Sequence, residues 1–382
     1  MSRTLLCAAL IFVALIAVIT SLSAENAFVW NLPGGFPAPR VPVDNPMTTV
    51  KVELGRYLFY DTRLSANQQQ SCASCHQQER AFTDGRARAV GSTGEMHPRN
   101  SMSLVNVAYV GVLTWANPTL TQLEKQALVP MFGTEPIELG LSKPGSVLLE
   151  RLSRDARYRS MFAAAFPGVS QPVTVENVTK ALASFERSII SARSPYDRYR
   201  TERDNDAITP AVRRGESLFY SQPFSCFRCH NGFMLGGATD FEGRSAAGEG
   251  GFEFHNTGLY NLEGLLSYPS PNTGVYEATR KPEDVGRFRA PTLRNIAVTG
   301  PYMHDGSIAT LDGVLDHYAA GGRTILEGPL RGVGHENPNK SRIIRGFTLT
   351  ADQRADFLAF LNALTDEPLL HDPRFSDPWT KH

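Results

Sequence analysis

The sequence has little cysteine and no surplus of either charge. Five cysteines occur in 382 residues. Four of them, Cys72, Cys75, Cys226 and Cys229, sit in two C-x-x-C-H motifs, and the fifth, Cys7, lies in an apolar N-terminal run. With that run set aside, no cysteine is left to build a disulfide framework. Lys plus Arg number 38 and Asp plus Glu number 38. That balance gives no basic field for a polyanion, so no nucleic-acid partner is expected. Apolar residues make up 42% and charged residues 20%, the proportions of a soluble globular protein, and the length allows two or three domains.

The N-terminus is of another kind. Met1-Ser2-Arg3 carries a positive charge, Leu5 to Leu22 is apolar and uncharged, and Ser21, Ser23 and Ala24 are small. Residues 1–24 therefore read as a signal peptide cleaved near Ala24, which implies export to the periplasm. The run is long for a signal. An uncleaved anchor is the alternative, and only then would the chain contact a membrane. Cys7 stands at the start of the run rather than its end, which speaks against lipidation.

The motifs C-A-S-C-H (72–76) and C-F-R-C-H (226–230) admit three readings. A thioredoxin-like redox pair needs a βαβ surround, and none is visible. Zinc knuckles stand roughly 15–20 residues apart, far closer than these. In c-type haem attachment two thiols bond the haem edge and the adjacent histidine, His76 or His230, ligates iron. Two such motifs in an exported chain, with no cysteine left over, favour two covalent haems. The hexapeptides G-R-Y-L-F-Y (55–60) and G-E-S-L-F-Y (215–220) precede the two motifs in the same order, which suggests a duplicated cytochrome c unit.

The organisation follows. Residues 25–47, rich in Pro and Gly, read as an arm, 48–205 as a first cytochrome c-like domain, 206–370 as a second and 371–382 as a tail. The periodicity predicts a helix over 174–190, with Val175, Val178, Leu182, Phe185 and Ile189 on one face. Residues 191–209 suit a polar linker, and Thr209-Pro210 opens the next helix. A helix over 311–319 is capped by Thr310 and ended by glycines, and Thr350 to Gln353 is a capping box for the last helix. Glycine-rich 231–290 reads as loops. The expected fold class is mostly α with few strands: two cytochrome c-like domains, each around one covalent haem.

The sequence resembles the bacterial di-haem cytochrome c peroxidase and MauG family. The likeness covers nearly all of residues 50 to 366. It rests on both C-x-x-C-H motifs, P-R-N (98–100), W-A-N-P (115–118), P-I-E-L-G (136–140) and A-P-T-L-R-N-I-A-V-T-G-P-Y-M-H-D-G-S (290–307). L-D-H-Y-A-A-G-G-R with the later N-P-N-K-S is similar to the MbnH branch, the di-haem enzymes associated with methanobactin operons.

The resemblance implies roles for single residues. Tyr318 matches the distal ligand of the second haem in the MauG-like branch, where the peroxidases carry a methionine; Met303 is its rival. His317 points about 100° away on a helix, so it cannot share that iron. Glu138, with Glu135 as alternative, matches the carboxylate that moves a proton during peroxide cleavage. Gln126 and Pro130 match the other distal residues of the first haem. His97 stands near the place of a distal histidine that some members use. Trp115 matches the tryptophan between the haems. Asn100, Thr299 and Pro301 match a Ca²⁺ site of oxygen donors.

The activity implied is use of hydrogen peroxide to reach a high-valent (bis-Fe(IV)-type) di-haem state. That state would oxidise a residue, by resemblance to MbnH a tryptophan converted to kynurenine, on a secreted or periplasmic protein partner. The alternatives are a peroxidase fed by a small cytochrome or copper protein, and a plain electron carrier. Phe224 stands where a MauG member has a surface tryptophan, so an identical electron route is not expected.

Overall fold

The computed structural model describes residues 27–244, 252–264 and 266–380. The expected signal peptide lies outside them. Seven helices of nine residues or more occur among the described residues. They are α1 (Thr49–Tyr60), α2 (Ser146–Arg154), α3 (Ala156–Ala165), α4 (Val175–Ser188), α5 (Pro210–Phe219), α6 (Leu311–Ala319) and α7 (Ala351–Asn362). Shorter helical turns and two short antiparallel pairs accompany them, β1 (Phe254–His255) with β2 (Phe288–Arg289) and β3 (Thr324–Ile325) with β4 (Gly332–Val333). The helix-rich class is as expected.

Capping side chains set where the helices begin. Thr48, Thr174, Thr209 and Thr310 each accept from the backbone N–H three residues on. Thr350 and Gln353 form the reciprocal box. The expected helix over 174–190 is Val175–Ser188, with Thr174 outside it as the cap.

The same helix crossing occurs twice. α1 crosses α4 at Gly55, where a Cβ would run into the Ala181 carbonyl and Phe185. α5 crosses α7 at Gly215, where a Cβ would run into the Asp356 carbonyl and Phe360. The ring of Phe59 lies 5.1 Å from Phe185, and that of Phe219 lies 5.2 Å from Phe360. The repeated G-x-x-L-F-Y thus does one job in both places. Glycine admits the partner helix, and the phenylalanine one turn later fills the seam. Leu54, Leu58, Phe162 and Phe185 belong to the core around α1, and Val212, Phe357 and Phe360 to the core around α5.

Three segments differ from a plain arm, linker and tail. The arm sets Phe36 against Tyr109 and Phe233, with the Arg294 guanidinium 4.8 Å over its ring. In the expected linker, Ser191 Oγ, Ala192 N and Arg193 N all donate to the buried Asp366 carboxylate. Arg294 meets both oxygens of buried Asp197 at 2.8 Å. The short polar residues that read as solvated linker instead satisfy one another in the interior. The tail returns to α1: Phe375 joins the first core, and Trp379 Nε1 donates to the Tyr57 carbonyl at 3.1 Å.

Neither crossing can absorb a methyl group without moving a backbone carbonyl. Gly55→Ala and Gly215→Ala should each cost about 1–3 kcal/mol or more. Thermal unfolding of the purified holoprotein checks this, and unchanged melting would show that the helices can separate freely.

Candidate haem sites

Both C-x-x-C-H motifs fold into the same tight turn. Cys75 N and His76 N donate to the Cys72 carbonyl at 3.2 and 3.0 Å, and Cys229 N and His230 N to the Cys226 carbonyl at 3.3 and 3.0 Å. Each turn brings two cysteines and a histidine to one wall of a cavity. The four thiols are unpaired. Burial pushes Cys75, Cys226 and Cys229 up to about 12. Among the described residues no three His, Cys, Asp or Glu side chains converge as a metal site.

The histidines fit haem ligation. His76 Nδ1 lies 2.8 Å from the Phe82 carbonyl, and His230 Nδ1 lies 3.1 Å from that of Pro291. A carbonyl only accepts, so the proton sits on Nδ1 and the Nε2 lone pair faces the cavity. Metal-bound histidine commonly donates its other ring N–H to a carbonyl in this way, which fixes the tautomer and the ring. Burial holds both imidazoles neutral, His230 down to about 4. The two sites differ in room. About 390 Å³ lies open beside the second motif and about 70 Å³ beside the first. A group of haem size in the first requires flexible wall residues such as Met131 and Leu104 to draw back.

Gln126, Pro130 and Glu138 line the first cavity with His76. The loop that carries Glu138 is pinned on every side. Leu139 N donates to the Pro130 carbonyl at 2.8 Å, Ser92 N to the Glu138 carbonyl at 2.6 Å and Ile137 N to the Glu95 carboxylate at 3.1 Å. Burial pushes the Glu138 carboxyl up to about 7. Glu135 is exposed and lines neither cavity, so geometry favours Glu138 over it. His97 Nε2 stands 3.9 Å from Glu138, while its Nδ1 accepts from Arg99 N.

Glu186 was not among the residues singled out from the sequence. It lies on α4 one turn past Leu182, lines the first cavity, and its buried Oε2 has no partner. Burial pushes it up to about 8. The surrounding F-E-R-S reads as an ordinary helix stretch, and only three dimensions show where it faces.

Tyr318 lines the second cavity with Cys226, Cys229 and His230. Its hydroxyl has no hydrogen-bond partner among the described residues, and burial followed by the nearby Cys229 and Cys226 sulfurs pushes the phenol up. A phenolate exists there only against a strong cation. His317 is buried with both ring nitrogens unpartnered and does not line the cavity. Met303 lines the cavity but packs with the apolar cluster that holds Trp115 and Leu259. His304 stacks on Phe288, ring centroids 3.6 Å apart, and serves packing.

Trp115, Asn100, Thr299 and Pro301 all reach this second cavity. Trp115 Nε1 donates to the Asn100 carbonyl at 2.9 Å, and Asn100 Nδ2 donates to the Arg86 carbonyl at 2.7 Å. The Asn100 amide oxygen accepts no hydrogen bond among the described residues.

Comparison with known proteins agrees. The family described as di-haem cytochrome c peroxidase matches residues 49–205. Cytochrome-c peroxidase IdrP1 of Denitromonas iodatirespirans is 34% identical over 94% of this chain and 93% of its own. The methylamine utilization protein MauG of Methylorubrum extorquens is 33% identical over 86% of this chain and 81% of its own. The crystal structure of a MauG-like protein associated with microbial copper homeostasis superposes with a TM-score of 0.89 at 48% identity, covering 93% of this chain and all of that one (100%). On a likeness that runs nearly end to end, the chain belongs to the di-haem cytochrome c peroxidase and MauG family of peroxide-dependent oxidoreductases, which implies two c-type haems.

Proposed function

We propose that this chain is a MauG-like enzyme of the MbnH branch. It uses hydrogen peroxide to oxidise a residue, a tryptophan converted to kynurenine, on an exported protein partner. The observation that carries this reading is Tyr318: a half-buried phenol on the wall of the second cavity, without a hydrogen-bond partner among the described residues, where a peroxidase would present methionine. The 48% identity to the MauG-like protein of copper homeostasis supports it. So do the two matched helix crossings, which suit two cytochrome c-like halves over 48–205 and 206–370.

When bound, the haems supply the redox chemistry with peroxide and hold its oxidising equivalents. The chain does the rest. His76 and His230 present Nε2 to the irons, and Cys72, Cys75, Cys226 and Cys229 anchor the rings. Glu138 takes the proton of one peroxide oxygen and returns it to the other. Gln126 and Pro130 shape the space in which peroxide sits. Tyr318, as phenolate, is a hard anionic donor that favours oxidised iron. Trp115, beside the second cavity, is the relay between the sites. Asn100, Thr299 and Pro301 hold Ca²⁺ through oxygen. The site of action is the periplasm; no helix among the described residues is long and apolar enough to cross a membrane.

A second reading, a peroxidase fed by a small cytochrome or copper protein, is favoured by relatives named cytochrome-c peroxidase. One experiment separates the two. One equivalent of hydrogen peroxide is added to the all-ferric protein without reductant, and absorption is followed into the near infrared. A long-lived species with a new near-infrared band supports the MauG-like reading, and Tyr318→Phe should abolish it while leaving both haems attached. Silence until one haem is reduced supports the peroxidase.

The proton role of Glu138 has its own signature. The group must be ionised to accept a proton. With its carboxyl near 7, the peroxide reaction should therefore speed up as pH rises through about 7. Glu138→Gln should slow that reaction by roughly 10²–10⁴-fold and flatten the profile. Stopped-flow rates within a few-fold of wild type would remove Glu138 from the chemistry.

A further inference from the structure

Three arginines are buried among the described residues: Arg187, Arg289 and Arg294. Arg187 meets Glu124 at 2.8 Å and Arg294 meets Asp197 at 2.8 Å. Arg289 meets no carboxylate. It lies on β2, 7% exposed, and its guanidinium has only neutral partners: Nε donates to the Thr114 carbonyl at 3.2 Å, and NH2 reaches Met102 Sδ at 3.4 Å. Its remaining nitrogen makes no hydrogen bond. A guanidinium does not lose its proton in a protein, and a buried charge without a counter-charge is strongly unfavourable. Burial alone already pulls Arg289 down to about 10, with no anion to oppose it.

Arg289 lines the second cavity together with Cys226, Cys229, His230 and Tyr318. The chain offers this guanidinium only neutral acceptors, the Thr114 carbonyl and the Met102 sulfur, and no anion. The anion therefore arrives with what the cavity receives. A c-type haem carries two carboxylates, on the part of its rim away from the thioether carbons.

We infer that Arg289 is the seat of a carboxylate of the second haem, so that one buried cation fixes how that haem lies and raises its reduction potential. The inference rests on a haem at His230 and is independent of what the enzyme oxidises. A guanidinium against the carboxylate forms paired N–H···O bonds that orient the ring as well as neutralise it. A positive charge held near iron disfavours the extra charge of the oxidised metal, so the potential rises. Arg289 NH2 also touches Met102, whose carbonyl approaches the His76 ring, although Arg289 itself lines only the second cavity. The backbone N–H of Arg289 donates to the Trp115 carbonyl at 2.8 Å, tying the cation to the residue proposed as relay.

The test is an anaerobic redox titration of the holoprotein, with the two haems separated by visible absorption and electron paramagnetic resonance. In R289Q the potential of the second haem should fall, and R289K should recover most of the loss. The first haem should move less. Unchanged potentials in R289Q, or a shift confined to the first haem, would overturn the assignment. A free anion at Arg289 would instead make the wild-type potential depend on chloride; the inference expects no such dependence, and its appearance would overturn it. Should R289Q yield too little holoprotein, resonance Raman spectra of R289K decide. The propionate bending modes of the second haem should shift when an ammonium replaces the guanidinium, and their constancy would sink the idea. Failure of the peroxide experiment above would leave this result untouched, because no peroxide is used.

Discussion

The carbonyl that faces Nδ1 of each histidine is the constraint around which the rest is arranged. At His76 it comes from Phe82, a few residues along the same loop. At His230 the local carbonyl of Leu235, 3.3 Å away, is joined at 3.1 Å by that of Pro291 from a distant segment. That segment continues through Arg294, whose guanidinium locks Asp197, and Asn295, whose side chain bonds Ser191 and the Asp366 backbone. One imidazole tautomer therefore depends on a buried network that spans the chain from Ser191 to Asp366. The length and specificity of the 290–307 stretch follow: it supports a histidine it does not contain and presents Thr299 and Pro301 to the same cavity.

Desolvation does most of the electrostatic work, and it acts differently at the two sites. Around the first, it lifts carboxyls, Glu138 and Glu186, into the range where protons exchange near neutrality. Around the second, it lifts a phenol and bears on a guanidinium that has no counter-charge. Carboxyls that titrate near 7 suit the movement of protons on a small substrate. A phenol and a lone cation suit the tuning of a metal that no substrate reaches. The division of labour proposed for the two haems matches what each wall can do chemically.

Local signals were legible in the sequence, and distant ones were not. The C-x-x-C-H turns, the Thr caps and the glycine before each motif act within a few residues, and each lies where the sequence places it. Tyr318 and Glu138 were found by resemblance; without it, a tyrosine at a helix end and a glutamate in a loop carry no signal. Residues 191–209 read as linker because their polarity shows and their partners do not: Asp366 and Arg294 stand far away in the chain. Glu186 and Arg289 escaped for the same reason. Nothing in a one-dimensional string distinguishes a charged residue on a surface from one buried without a partner.

That last distinction carries the most chemistry here. A protein folded for its own stability pairs its buried charges, as Arg187 and Arg294 do. It does not leave a guanidinium, a phenol and a carboxyl oxygen unmatched around two cavities. Each unmatched group has the complement of something a haem site supplies: a cation for Tyr318, an anion for Arg289, a proton-bearing oxygen for the carboxyls. The incomplete pairings are therefore informative as a set. These three lie on the walls that hold the two histidines, a carboxyl at the first cavity and a phenol and a guanidinium at the second. The polypeptide thus sets unlike side chains on two cavity walls that stand beside two helix crossings built alike.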